Sequence, residues 1–240
     1  MAALIASTMT AASLPNDPPH DAATRLAAIR SAITRIASLS SRSAADVTLI
    51  AVSKTHGASE IAPLIAAGQR VFGENRVQEA QDKWPALREA VPEISLHLVG
   101  QLQSNKAADA VALFDVIHSL DRSSLLTALA KAMDKVGRQV PCFVQVNIGA
   151  ETQKGGCPIG EVPSLLEQAR MIEVPISGLM CVPPADVEAA PYFALLAKMA
   201  REEGLTGLSM GMSGDYETAI MLGATHVRVG TALFGDRPKA

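Results

Sequence analysis

The chain is short of cysteine, has no excess of basic charge and holds no apolar run long enough to span a bilayer. Cys142, Cys157 and Cys181 are an odd, sparse set with no CxxC spacing. They argue against a secreted disulfide framework or a structural zinc site, and they suit a reducing cytosol. With 21 basic and 24 acidic residues the net charge is −3, so no global positive field draws nucleic acid. Met1 to Leu14 is far too short to cross a membrane. No Lys or Arg precedes Arg25, whereas a secretory signal carries basic charge ahead of its apolar stretch. Pro15, Pro18 and Pro19 then break any helix, and residues 1–20 read as a flexible N-terminal extension. Neither HxH nor HExxH spacing occurs, so no metal-binding motif is evident. The expectation is a cytoplasmic protein that engages neither membrane nor nucleic acid.

What is present is a chain able to bury a large core. Of its 240 residues 48% are hydrophobic and 19% charged, which rules out wholesale disorder. The length fits two small domains or one α/β barrel. Leu26, Ile29, Ile33 and Ile36 recur at helical spacing, which predicts an amphipathic helix to about Leu39. Strands and helices then alternate without a long linker. Strand ends are expected near Val52, Phe72, Val99, Ser119, Val146, Met180, Ser209 and Val229, at intervals of 20 to 34 residues. Each interval accommodates one strand, one helix and two short loops. Eight such units over residues 21–240 point to a single (β/α)8 barrel. The rival is an open doubly wound sheet, which would ordinarily show a glycine-rich first turn; here strand one runs into Ser53-Lys54-Thr55-His56-Gly57. The closing helix must be short, and the helix before strand one is placed to cover the barrel there.

Barrel sites gather at the C-terminal ends of strands, and those ends are chemically loaded. Alternation puts Thr48, Ile50, Val52 and Lys54 on one face of strand one. Lys54 is therefore either a desolvated amine nucleophile able to form a Schiff base, or a solvated lysine closing a strand. In strand eight Val227 and Val229 suit the sheet–helix layer, which points Arg228 inward. An interior guanidinium needs an interior carboxylate or a bound anionic or electron-rich ligand. Gly230 and Thr231 follow with free backbone N–H groups and a hydroxyl suited to phosphate. Ser209 to Asp215 holds two serines and two glycines, and two readings stand for it: an oxyanion cradle, or a loop in which Ser213 only caps the next helix. Met180 reads as core, and His97 and His118 as hydrogen-bonded core residues. The combination fits a phosphorylated aldehyde held by an amine, without naming the aldehyde.

Five segments carry a resemblance: Ala51-Val52-Ser53-Lys54-Thr55, Phe72 to Glu79 (FGENRVQE), His97 to Gly100 with Leu102 to Lys106, Leu208 to Ser213, and Val227 to Gly235. Together they are similar to the pyridoxal phosphate homeostasis protein family over about residues 21–237. The resemblance implies the barrel of the alanine racemase N-terminal domain and pyridoxal 5′-phosphate (PLP) as ligand. It implies Lys54 as the Schiff-base lysine and Arg228 as the arginine facing the pyridine nitrogen. Asn75 would lie near the cofactor, and Ser209, Ser213, Gly230 and Thr231 in the phosphate-binding segments. It further implies a protein that buffers and supplies PLP, with amino acids and PLP-dependent apo-enzymes as possible partners; a monomer is expected. His56-Gly57 departs from the Lys-Pro of many members. The alternative is a PLP-dependent amino-acid racemase or lyase. Racemases of this fold take a tyrosine acid/base from a second domain, for which this chain has no room; Tyr216 is the one local candidate.

Overall fold

In the computed structural model residues 21–235 are described, so the expectation for residues 1–20 lies outside them. Eight parallel strands close into a barrel in chain order. They are β1 (Thr48–Val52), β2 (Val71–Glu74), β3 (Ser95–Leu98), β4 (Val116–Leu120), β5 (Cys142–Val146), β6 (Ile176–Cys181), β7 (Gly207–Ser209) and β8 (His226–Val229). Four strand ends fall where the sequence places them, at Val52, Val146, Ser209 and Val229, and the other four lie within two residues. The outer ring comprises α1 (Ala22–Leu39), α2 (Ala58–Ala66), α3 (Val77–Ala90), α4 (Ala107–Leu113), α5 (Ser123–Val136), α6 (Val162–Met171), α7 (Ala190–Glu202), α8 (Tyr216–Met221) and α9 (Thr231–Phe234). Among the described residues no helix is long and apolar enough to cross a membrane.

The helix before strand one completes that ring. Asp21 caps α1 by accepting from Thr24 N at 2.7 Å. Its buried stripe is Leu26, Ile29, Ile33 and Ile36, each side chain contributing about 1.5–3 kcal/mol by leaving water. Because α9 spans only four residues, α1 takes the eighth ring position, packed on α2, α8 and α9. Arg25 Nε donates to Leu233 O, which ties α1 to α9.

Strand alternation sorts the two sides of the sheet. Leu49, Ala51, Val227 and Val229 belong to the core between sheet and helices, whereas Ile50 and Arg228 face the lumen. The lumen is unusually polar, with His97, His118, Ser209 and Arg228 all buried. His118 stacks on Phe143 with ring centroids 4.5 Å apart, and His226 meets Phe143 edge-on at 5.0 Å. Burial drives the His97 pKa down to about 3 and that of His226 down to about 4; burial holds His118 well below the usual imidazole range. Neutral rings are thus the folded form.

These depressed values set a pH dependence. A histidine with a lower pKa folded than unfolded gains a proton on unfolding, so acid favours the unfolded chain. The loss begins near the unfolded value of about 6.5 and runs toward 4 for His226 and 3 for His97. Each such histidine can remove about 1.4 kcal/mol per pH unit in that window. Urea unfolding followed by the single tryptophan, Trp84, should therefore show a midpoint that falls from pH 7 to pH 5. His226→Gln should flatten the slope, and equal slopes for parent and variant would refute this account.

Candidate functional site

The strand ends surround a cavity of about 470 Å³, lined by Val52, Lys54, Thr55, His56, Asn75, Val99, Val182, Met212, Ser213, Gly214, Arg228, Gly230, Thr231 and Gly235. That volume is in the ordinary range for a small-molecule site, roughly 300–1,000 Å³. Its lining holds Lys54 and Arg228 and, among the described residues, no carboxylate. β1 ends at Val52, Ser53 is buried, and the chain turns at Thr55, whose φ is 67°. Lys54 consequently lies exposed at the rim rather than desolvated. Its amine has no hydrogen-bond or ion-pair partner among the described residues. Lys83 of α3, which no sequence motif singled out, donates to the backbone carbonyls on either side of this turn.

Arg228 enters from β8, the strand beside β1, where it pairs in register with Ile50, and is 5% exposed. Its Nη1 donates to Ser209 Oγ at 2.8 Å and its Nη2 to Cys181 O at 2.8 Å. The interior carboxylate considered for it from sequence is not there: no described acid forms an ion pair with it. Burial pulls its pKa down from the usual guanidinium value, against the opposing influence of Cys181 and Asp215. Behind Ser209, His118 Nδ1 lies 2.9 Å from Ser209 Oγ, and His118 Nε2 lies 3.0 Å from His97 Nδ1. His97 Nε2 ends the chain 3.2 Å from Ser95 Oγ.

The loops after β7 and β8 meet through Ser213. Its Oγ accepts from Gly230 N at 3.3 Å and Ala232 N at 3.4 Å. Both bonds are long, so these N–H groups are weakly held and available to a stronger acceptor. Ser213 does not cap α8, because Asp215 stands at that cap and accepts from Met212 N. Two glycines make the neighbouring loops possible. A Cβ on Gly100 would come 2.3 Å from Asn75 O, so the close pass that places Asn75 at the cavity requires glycine. Gly211 has φ +92°, and a Cβ there would meet the Ala219 side chain at 2.5 Å.

Six of the seven residues expected from sequence thus line one cavity: Lys54, Asn75, Ser213, Arg228, Gly230 and Thr231. Ser209 stands apart, fully buried behind Arg228 rather than in the lining. Sequence reasoning missed His56, which lines the rim and stacks on Phe234 with ring centroids 4.3 Å apart. Asn147 closes its own loop, accepting from Glu151 N and donating to Glu151 O. Neither tyrosine lines the cavity, and burial raises the Tyr216 phenol above its usual pKa. Burial likewise pushes Cys142 and Cys181 up to about 12 and Cys157 to about 11, so all three stay thiols at neutral pH.

Comparison with known proteins identifies the family and the fold. The alanine racemase, N-terminal domain, family matches residues 24–238. The pyridoxal phosphate homeostasis protein of Escherichia coli (strain K12) is 39% identical over 230 residues, 91% of this chain and 97% of that protein. The structure of PipY from Synechococcus elongatus PCC7942 with PLP bound is 39% identical, with a TM-score of 0.78 over 89% of this chain and 100% of that one. The alanine racemase of Clostridium difficile 630 shares the fold alone, at 15% identity and a TM-score of 0.64, with 57% of its chain covered. By sequence and by fold, this chain belongs to the pyridoxal phosphate homeostasis protein family.

Proposed function

We propose that the chain binds PLP in this cavity and acts in PLP homeostasis, holding the cofactor and releasing it to apo-enzymes. One observation carries the reading: an amine and a buried guanidinium that pair with no acid among the described residues line one cavity together with weakly held N–H groups. Bound PLP supplies an aldehyde that joins amines and a ring that withdraws electrons from the attached carbon. Lys54 would take the aldehyde. Ser213, Thr231 and the Gly230 and Ala232 N–H groups would take the phosphate, with Asn75 beside the ring. Ser209 would act from behind, by orienting Arg228.

Arg228 explains why holding should prevail over turnover. A guanidinium keeps its charge and only donates, so facing the ring nitrogen it would leave that atom unprotonated. The ring then draws electrons weakly. Lys54 would be the one clear proton-transfer group, since neither tyrosine reaches the lining. Free amino acids would compete with Lys54 for the aldehyde, and the cytoplasm would be the setting. We take the monomer as the working form.

Measurements of covalent trapping, of affinity and of isotope exchange test this. Borohydride treatment of PLP-loaded protein should trap the cofactor on the peptide containing Lys54, and Lys54→Ala should abolish the adduct while preserving the far-ultraviolet spectrum. An adduct that persists at another lysine would reassign the site. Thr231→Val should weaken PLP roughly ten- to a hundredfold, since a hydrogen bond to a charged acceptor contributes about 1.5–3 kcal/mol. Pyridoxal, lacking the phosphate, should bind the parent far more weakly than PLP, and equal affinities would remove the phosphate assignment. With L-alanine in deuterated water the loaded protein should place little deuterium at Cα. Sustained, Lys54-dependent exchange would favour a racemase instead.

A further inference from the structure

The β1–α2 turn that carries Lys54 is gripped by a charged cluster outside the cavity. Lys83 Nζ donates to Ser53 O at 2.9 Å and to His56 O at 3.0 Å, the two carbonyls that bracket Lys54 and Thr55. Glu79 Oε1 accepts from Thr55 N at 2.6 Å and pairs with Lys83 at 3.0 Å. Glu74, with a fully buried side chain, pairs through Oε1 with Lys83 at 2.8 Å and accepts from Ser53 Oγ at 2.6 Å and Trp84 Nε1 at 3.0 Å. Its second oxygen, Oε2, is buried without a hydrogen-bond partner.

Stability alone does not account for this arrangement. A buried ion pair often contributes no more than a well-packed apolar replacement, and an unsatisfied carboxylate oxygen adds cost. The left-handed backbone of Thr55 adds strain, because a β-branched residue seldom adopts positive φ. What these costs secure is narrow. Lys83 and Glu79 of α3 bind the backbone flanking one lysine whose own side chain is unpartnered among the described residues, and Glu74 of β2 holds Lys83 and the Ser53 hydroxyl in place.

We infer that Glu74, Lys83 and Glu79 are positioning residues for Lys54, an inference that rests on PLP being the ligand. The covalent step they serve joins the neutral Lys54 nitrogen to the aldehyde carbon. The aldehyde oxygen departs as water with the two amine protons. Reactions of this kind are sensitive to misplacement of the attacking atom by about 1 Å, which can cost on the order of a hundredfold. Among the described residues the cluster makes no hydrogen bond or ion pair with the phosphate loops or Arg228, its one indirect link being His56 stacked on Phe234, so its main effect falls on the aldehyde end of the ligand.

That selectivity supplies the test. Lys83→Met and Glu79→Ala are compared with the parent for affinity toward PLP and toward 4-deoxypyridoxine 5′-phosphate, which keeps ring and phosphate but lacks the aldehyde. Both variants should lose roughly ten- to a hundredfold in PLP affinity and show a smaller borohydride-trapped fraction at Lys54. Their affinity for the analogue should be unchanged, and Lys83→Arg should recover part of the loss. Equal loss for both ligands would show a general scaffold, and no loss for either would show an idle cluster; each overturns the inference. Should Lys83→Met fail to fold, the half-buried Glu79 carries the same criterion. Lys54→Ala separates the two levels of argument. If the parent binds both ligands equally and Lys54→Ala changes nothing, the role of Lys54 fails and the inference with it. If Lys54→Ala selectively loses PLP while the cluster variants do not, only the inference fails.

Discussion

Arg228 carries a charge that cannot be discharged into a barrel interior where no described carboxylate meets it, and much of the lumen is arranged as a consequence. A guanidinium only donates, so Ser209 Oγ must accept from it. The Ser209 proton then needs an acceptor, and His118 Nδ1 is the group within reach. Were His118 to donate instead, the buried Ser209 proton would be stranded at a cost of about 1–3 kcal/mol. His118 therefore carries its proton on Nε2 and donates to His97 Nδ1, and His97 donates through Nε2 to Ser95. One donor sense runs from the cavity floor to the far end of the barrel. It requires both rings to be neutral, which is the state that burial imposes on them.

The two walls of the cavity solve opposite problems. At Arg228 the charge is buried and rigid, held by neutral acceptors on β6 and β7. At Lys54 the charged group is exposed and unpartnered, while the backbone beneath it is fixed by Glu79 and Lys83. One wall presents a fixed donor, and the other a swinging amine on a fixed pivot. Between them the Gly230 and Ala232 N–H groups meet only the long bonds to Ser213. An anionic ligand would thus relieve the floor's unbalanced charge and replace weak bonds with charge-assisted ones.

Much of this was legible in the sequence, and the misses have two distinct causes. Strand ends could be placed because each buried parallel strand is a short apolar run closed by polar or glycine residues, as at Val52 and Val229. Arg228 was legible because the flanking valines fix the face it must occupy. The same parity would have placed Ser209 correctly: Leu208 and Met210 belong to the outer core, so Ser209 faces the lumen and meets Arg228. Grouping it with the phosphate loop followed its position in the motif rather than its direction. The Lys83 network was illegible for a different reason. Its partners come from the β1–α2 turn, β2 and α3, and the interval between Ser53 and Lys83 says nothing about which carbonyl an ammonium will reach.

Under the proposed function, the exposure of Lys54 bears on how a bound aldehyde would be released. A covalent link to an amine is undone by water or by a second amine, and both reach an exposed rim more readily than a closed site. Catalysts of amino-acid chemistry gain from excluding water and from placing two proton-transfer groups across the ligand. Here the rim is open at Lys54 and Thr231, and the lining also holds Arg228, which yields no proton, and apolar or small residues such as Val182, Met212 and Gly214. The floor favours retention through charge, while the mouth permits exchange through solvent. Retention without sequestration is the balance that the proposed role in holding and releasing a cofactor would need.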